Sequence, residues 1–378
     1  MAAFSIIVTL LFIILGLIRP QSKFVIWGLL ILLWILFAFE RTNEGDGDYS
    51  RYVAHYDNFG KGIIVVYEPL FLVIAYIGNT LKVSFDAIRA FVVILELFLL
   101  YKSISRYTKN IGAVLSLFFI FPALFDAELF RWFLGMCIVI AGFPVLINAS
   151  KKRDYFIFAL YVLLASMSHA SCLFFLMYLL LAVKNRKTLI IIVLSLLTIG
   201  VLTSQSGLLQ KMLSYLPIST DVIEDRYDDR EIGSIKNVFR SAVLMILVYT
   251  SYYFSKIWLK PFKTNAVKYK EDVLRLERCN TLLIKIWSFN IISLLFVAIS
   301  IYAAQTIRLV QVLVFYNYIF YAVALEQRKW NNLMKMTITV FISVTLVVWM
   351  LLDSEGTRPV LLSHFSIGYL IGFFNTIF

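Results

Sequence analysis

The chain has 378 residues, of which 61 % are apolar, 16 % aromatic and only 15 % charged, with a formal net charge of +12. An ordinary soluble domain is about 45–50 % apolar and about 25 % charged, so this chain lacks the polar side chains to cover a water-facing surface, and a soluble enzyme is excluded. Three cysteines make no disulfide framework or metal-ligand spacing, and the alternating ten-residue strands of an outer-membrane barrel are missing.

What remains is an all-α polytopic membrane protein. At about 20 residues per span, the apolar runs at 3–18, 24–39, 85–101, 111–125, 131–148, 155–168, 170–183, 188–203, 237–258, 280–301, 307–325, 334–352 and 360–377 predict twelve or thirteen transmembrane helices. The last run is diluted by Ser363, His364 and Asn375. The first has no basic residue before it and no small-residue cleavage site after it, which predicts a retained helix rather than a signal peptide. The piece 68–81 is short and broken by Pro, Gly and Asn.

Lys and Arg gather at Arg19/Lys23, Lys102 to Lys109, Lys151 to Arg153, Lys184 to Lys187, Lys256 to Arg278 and Arg328 to Lys335. If 68–81 crossed the membrane, the parity of these loops would break. If it lies in the outer interface, all six face the cytoplasm. The second arrangement predicts one integral-membrane domain over 1–378 with two long extracytoplasmic loops, 40–84 carrying interfacial helices and 204–236. Loops long enough to hold chemistry then sit outside, apart from the Lys-rich connector 259–279.

The first outer loop places Asp48, Tyr52 and His55 or Tyr56 one or two turns apart, so a short helix carries an acid, an imidazole and phenols on one face. Tyr49 and Tyr52 either sit at headgroup level or contact substrate, and Asp48 either caps the helix or takes a proton. The sequence Asp46-Gly-Asp48 resembles the Asp-x-Asp of metal-dependent glycosyltransferases, but it lacks the distal Glu of a calcium loop. A metal-independent protein with no cofactor is expected. Glu128 and Arg131 open the helix at 131–148; they either snorkel at the membrane boundary or, for Arg131 at a helix start, form a diphosphate clamp. Arg308, Arg89, Arg240 and Arg51 are further arginines on the inferred outer side, where topology alone would not put them. His169, between Ser168 and Ser171, reads either as a packing residue or as a base. The run Asp221 to Glu231 reads as a solvated loop or part of a substrate lid. Nucleotide-binding, serine-hydrolase and zinc-protease motifs are absent, so a transfer reaction here needs a substrate that is already activated.

Taken in order, Asp48-Tyr-x-x-Tyr52-x-x-x-Tyr56, Tyr67-Glu68-Pro69-Leu-Phe, Phe85 to Arg89, Phe130-Arg131 and Ser168-His169-x-Ser171 resemble the EpsG branch of the Wzy-type bacterial polysaccharide polymerases, over about residues 40–185. The resemblance implies a GT-C-like glycosyltransferase of the bacterial inner membrane. Its active site would face the exterior and join undecaprenyl-diphosphate-linked repeat units of O-antigen, capsule or exopolysaccharide. Membrane lipids, a chain-length regulator and a flippase are the implied partners; nucleic acid is not. Asp48, His169 and Glu68 are then the groups to take the acceptor proton, and Arg131 and Arg308, with Arg51 or Arg89, the groups to hold the diphosphate. Two alternatives remain: an O-antigen ligase using the same donor, and a lipid-linked oligosaccharide flippase or other transporter with charges along a path through the bundle.

Overall fold

Long apolar runs with no polar stripe form helices that bury every side or turn it to lipid, because a helix satisfies its own backbone hydrogen bonds. In a computed structural model, which describes residues 2–39, 48–63, 68–127, 129–205, 270–296 and 308–326, every element is helical. These are α1 (Ala2–Ile18), α2 (Lys23–Phe39), α3 (Asp48–Gly60), α4 (Pro69–Thr80), α5 (Phe85–Ser105), α6 (Ile111–Phe118), α7 (Leu124–Asp126), α8 (Phe130–Ile147), α9 (Lys152–Ser166), α10 (Arg186–Gln205), α11 (Lys270–Ser293) and α12 (Arg308–Leu325). A π-helical turn joins α6 to α7, and a 3₁₀ helix, Ala170–Ala182, follows α9. The predicted spans 237–258, 334–352 and 360–377, most of the loop 204–236, and Glu128 and Arg240 lie outside the described residues.

The distribution of polarity is that of a lipid-facing protein. On α5 the buried face carries Arg89, Glu96 and Ser103, while Phe91, Ile94, Leu95 and Phe98 point outward. Similar outward apolar rows run along α1, α2, α9 and α10, through Leu11, Trp27, Phe156 and Ile191 among others. Water would not tolerate such continuous apolar faces. Among the described residues Phe130–Ile147 is the one helix long and apolar enough by itself to cross a membrane; Lys23–Phe39, Ile111–Ala123, Ala170–Ala182 and Leu309–Ala324 are shorter apolar stretches.

The 3₁₀ helix departs from the expected α-helical span. Its buried residues Cys172, Phe175, Tyr178 and Leu181 recur every third position, the spacing that three residues per turn places on a single face. That face packs on Trp132, Phe143, Phe289 and Phe296.

Helix ends sort into two groups. At one end of the bundle, Gly112 N donates to Pro20 O (2.8 Å) and Gln21 Nε2 to Asn110 Oδ1 (3.0 Å). Here Glu326 accepts from Thr108 Oγ1 (2.6 Å), from Lys109 N (2.8 Å) and from Arg275 (2.6 Å), and Asp272 pairs with Lys109 at 2.8 Å. This lattice locks the α5–α6 link, the start of α11 and the end of α12 together. At the opposite end lie the starts of α5, α8 and α12, the end of α9, and both ends of α4. Leu70 N at the start of α4 donates to Met167 O (2.9 Å) past the end of α9, and Tyr56 Oη donates to Val83 O (2.7 Å) just before α5. With both termini at one end of the bundle, α4 lies across it rather than through it.

Close approach of α1 and α6 depends on a missing side chain: a Cβ on Gly16 would stand 2.8 Å from Gly112 O and 2.9 Å from Leu29 Cδ1. Gly16→Val is expected to cost about 1–3 kcal/mol by overpacking. Thermal unfolding in detergent should therefore show a lower midpoint for Gly16→Val and an unchanged one for the outward-facing Ile14→Val.

Candidate functional site

The end of the bundle crossed by α4 carries an aromatic floor. Phe85 lies within 5.7–6.3 Å (ring centroids) of Tyr49, Tyr52, Tyr56 and Phe130, and Tyr52 also meets Phe71 and Phe130. Aromatic pairs at these separations add to the area they bury. They join α3, α4, α5 and α8. Asn79 Nδ2 donates to Tyr56 O (3.2 Å), closing the α3–α4 hairpin.

On this floor stands Arg131, on the first turn of α8. Its Cζ is 5.2 Å from the Tyr52 ring centroid, a cation–π contact, and its guanidinium donates to the Glu68 carboxylate in an ion pair. The side chains of both partners are only partly covered, Arg131 20 % and Glu68 23 % exposed. Glu68 directly precedes Pro69, which starts α4 with its φ preset for a helix. The Glu68 side chain makes no cap bond to α4; it reaches Arg131 instead. Ser168 Oγ donates to Arg131 O (2.7 Å), so the α9–3₁₀ junction is fastened to the same turn.

His169 follows at that junction. Its Nδ1 is hydrogen-bonded to Ser171 Oγ at 2.7 Å, and its ring meets Trp132 edge to face at 5.5 Å. A glycine makes this approach possible: a Cβ on Gly135 would stand 2.7 Å from Cys172 Sγ and 3.2 Å from Ala165 O. Trp132 in turn donates from Nε1 to Gln311 Oε1 (2.8 Å). Gln311 lies one turn after Arg308, which opens α12. The starts of two helices, each carrying an arginine, are thus held side by side, and helix starts favour anions.

The other predicted residues take peripheral or supporting places. Asp48 and Arg51 form a partly exposed i, i+3 pair on the rim, at 3.8 Å. Tyr49 Oη donates to Asp86 Oδ1 (2.9 Å). Arg89 is 2 % exposed; it lies under the Tyr49 ring and donates to Ala127 O (2.8 Å), ordering the turn between α7 and α8. Tyr52 and Tyr56 are buried in protein.

His55 of the predicted acid-and-imidazole face also belongs here, together with two residues that sequence reasoning did not single out, Glu96 and Asp126. His55, one turn beyond Tyr52, has its pKa lowered by burial and then by the positive charges of Arg131 and Arg51. Glu96 and Asp126 are fully buried beneath the site, within electrostatic reach of Cys137, and Glu96 also of Arg89. Glu96 had a signal, as the lone charge in the run 90–101. No three of His, Cys, Asp and Glu among the described residues come together as metal ligands.

Residues 23–362, about nine-tenths of the chain, match the EpsG family. No curated protein matches, and no solved structure matches.

A lowered His55 pKa means that protonation disfavours the fold: the stability tied to neutral His55 is complete above its ordinary value of about 6.5 and is lost as pH falls through the lower folded value. Removing a neighbouring charge should weaken the effect. In NMR titration of histidine-labelled protein, the His55 imidazole should titrate below the ordinary range, and Arg51→Gln should raise that value.

Proposed function

Because the chain belongs to the EpsG family of polysaccharide-polymerase-type membrane proteins, we propose that it is a Wzy-type glycosyltransferase that joins undecaprenyl-diphosphate-linked repeat units on the outer face of the bacterial inner membrane. The observation that carries the reading is the placing of Arg131 beside the start of α12, above an aromatic floor and beside His169. Arg131, with Arg308 at the start of the neighbouring helix, holds the diphosphate of the donor. Bidentate charge-assisted hydrogen bonds from a guanidinium stabilise the negative charge that grows as the diphosphate leaves.

In the transfer, an acceptor hydroxyl oxygen bonds to the anomeric carbon of the donor's reducing-end sugar. The bond from that carbon to the diphosphate oxygen breaks, its electron pair leaving with the diphosphate. The acceptor proton passes to a base drawn from Asp48, Glu68 and His169. The buried aromatic floor braces the turn that carries Arg131.

The orientation is supported by the two ends of the bundle. The Arg19/Lys23, Lys102–Lys109 and Lys151–Arg153 clusters border the end bearing the Glu326 lattice, away from Arg131. Basic clusters of this kind stay in the cytoplasm, which leaves the Arg131 end outside and α4 in the outer interface. A bundle with an arginine site at its outer end, and interfacial helices in the loop after an early pair of spans, fits a GT-C-like plan.

Deleting the gene in its host should leave surface lipid core carrying a single repeat unit on a gel. Complementation with Arg131→Ala should give the same pattern, and Arg131→Lys should also fail, since an ammonium cannot reproduce the two-pronged contact. Bare core after deletion would favour the ligase or flippase alternatives, and an unchanged ladder would contradict the polymerase reading.

A further inference from the structure

The guanidinium proposed to hold the donor diphosphate is already occupied by a carboxylate of the protein itself. Three features mark the Arg131–Glu68 pair as an exchangeable contact. First, both side chains reach solvent, at about a fifth of their surface, so the pair is open on one side rather than sealed in the bundle. Second, Glu68 does not need Arg131 to fix its own backbone: Leu70 N is bonded to Met167 O at 2.9 Å, and Phe71 N and Leu72 N to Glu68 O at 3.0 and 3.4 Å. The carboxylate can swing away while α4 stays in place. Third, Arg131 keeps other contacts when Glu68 leaves, because Tyr52 lies against its guanidinium and Ser168 holds its backbone carbonyl.

We propose that Glu68 is a built-in plug, a carboxylate that stands in for the donor diphosphate in the empty protein and is displaced when a diphosphate binds. This inference rests on the assignment of Arg131 to the donor site. A carboxylate brings a single charge and two oxygens, whereas a diphosphate ester brings about two charges and more acceptor oxygens. The incoming ligand therefore outcompetes the plug on a guanidinium that prefers planar, bidentate anions. The exchange has two consequences. An empty site does not carry an uncompensated guanidinium at the membrane boundary. A displaced Glu68, released from the positive charge, is a free carboxylate next to the bound donor only once that donor has arrived, which makes donor binding precede acceptor activation.

The test is isothermal titration of inorganic pyrophosphate into full-length protein in lipid nanodiscs, comparing wild type with Glu68→Gln, Glu68→Ala and Arg131→Ala. Removing a competing charge-assisted contact should tighten pyrophosphate binding about tenfold in Glu68→Gln and Glu68→Ala. A residue that merely supports the fold would give the opposite, weaker binding with a lower thermal midpoint. Equal or weaker binding in both Glu68 variants, with folding intact, overturns the plug. Unchanged pyrophosphate binding by Arg131→Ala would instead overturn the donor-site assignment, so the two failures are distinguishable.

Discussion

A guanidinium on the first turn of a helix in an apolar bundle needs a partner, and the rest of the site follows from how Arg131 finds one. Its partner Glu68 comes from a segment that lies across the end of the bundle, where the bond from Leu70 N to Met167 O seats the start of α4 on the end of α9 and brings the carboxylate to α8. Once α4 is there, Tyr52 and Tyr56 of α3 pack beneath it against Phe71, Phe85 and Phe130. With the pair in place, the Glu68 carboxylate balances the charge of Arg131, whose side chain is largely covered. Hydrogen bonds and aromatic packing set the position of α4, and the ion pair spans from it to α8.

The two ends of the bundle use charge differently. At the Glu326 end, carboxylates and basic groups saturate one another: Glu326 accepts from Thr108, Lys109 and Arg275, and Asp272 pairs with Lys109. Such a network fixes helices and leaves little for a ligand. At the Arg131 end, the Arg131–Glu68 pair is partly open to solvent above an aromatic floor, and a histidine is held by a serine and a tryptophan. A saturated far end and a partly open near end suit the proposed binding of a lipid-linked diphosphate at one face.

The helices were legible in the sequence because apolar runs of span length have few alternatives: the run 131–148 becomes Phe130–Ile147, and 188–203 becomes Arg186–Gln205. The helix after Asp48 was legible too, from glycines followed by aromatic residues at helical spacing. The 3₁₀ geometry of Ala170–Ala182 was written in the three-residue spacing of Cys172, Phe175, Tyr178 and Leu181, but an apolar run that long reads by default as an α-helix. Pairings were not legible. Arg131 and Glu68 are 63 residues apart, and Trp132 and Gln311 are 179 apart, and no local pattern encodes which of several acids or amides a side chain meets. Arg89 shows the same limit: no local pattern encodes its bond to Ala127 O, 38 residues away, or its burial.

On the proposed reading, a diphosphate takes the place of the Glu68 carboxylate on Arg131, at the joined starts of α8 and α12. A cryo-electron microscopy structure of the protein in nanodiscs with a short-chain isoprenyl diphosphate tests it most directly. The account predicts diphosphate density against Arg131 and the first turn of α12, with the Glu68 side chain turned away and α4 in place. Diphosphate density elsewhere, with the Arg131–Glu68 pair intact, would contradict it.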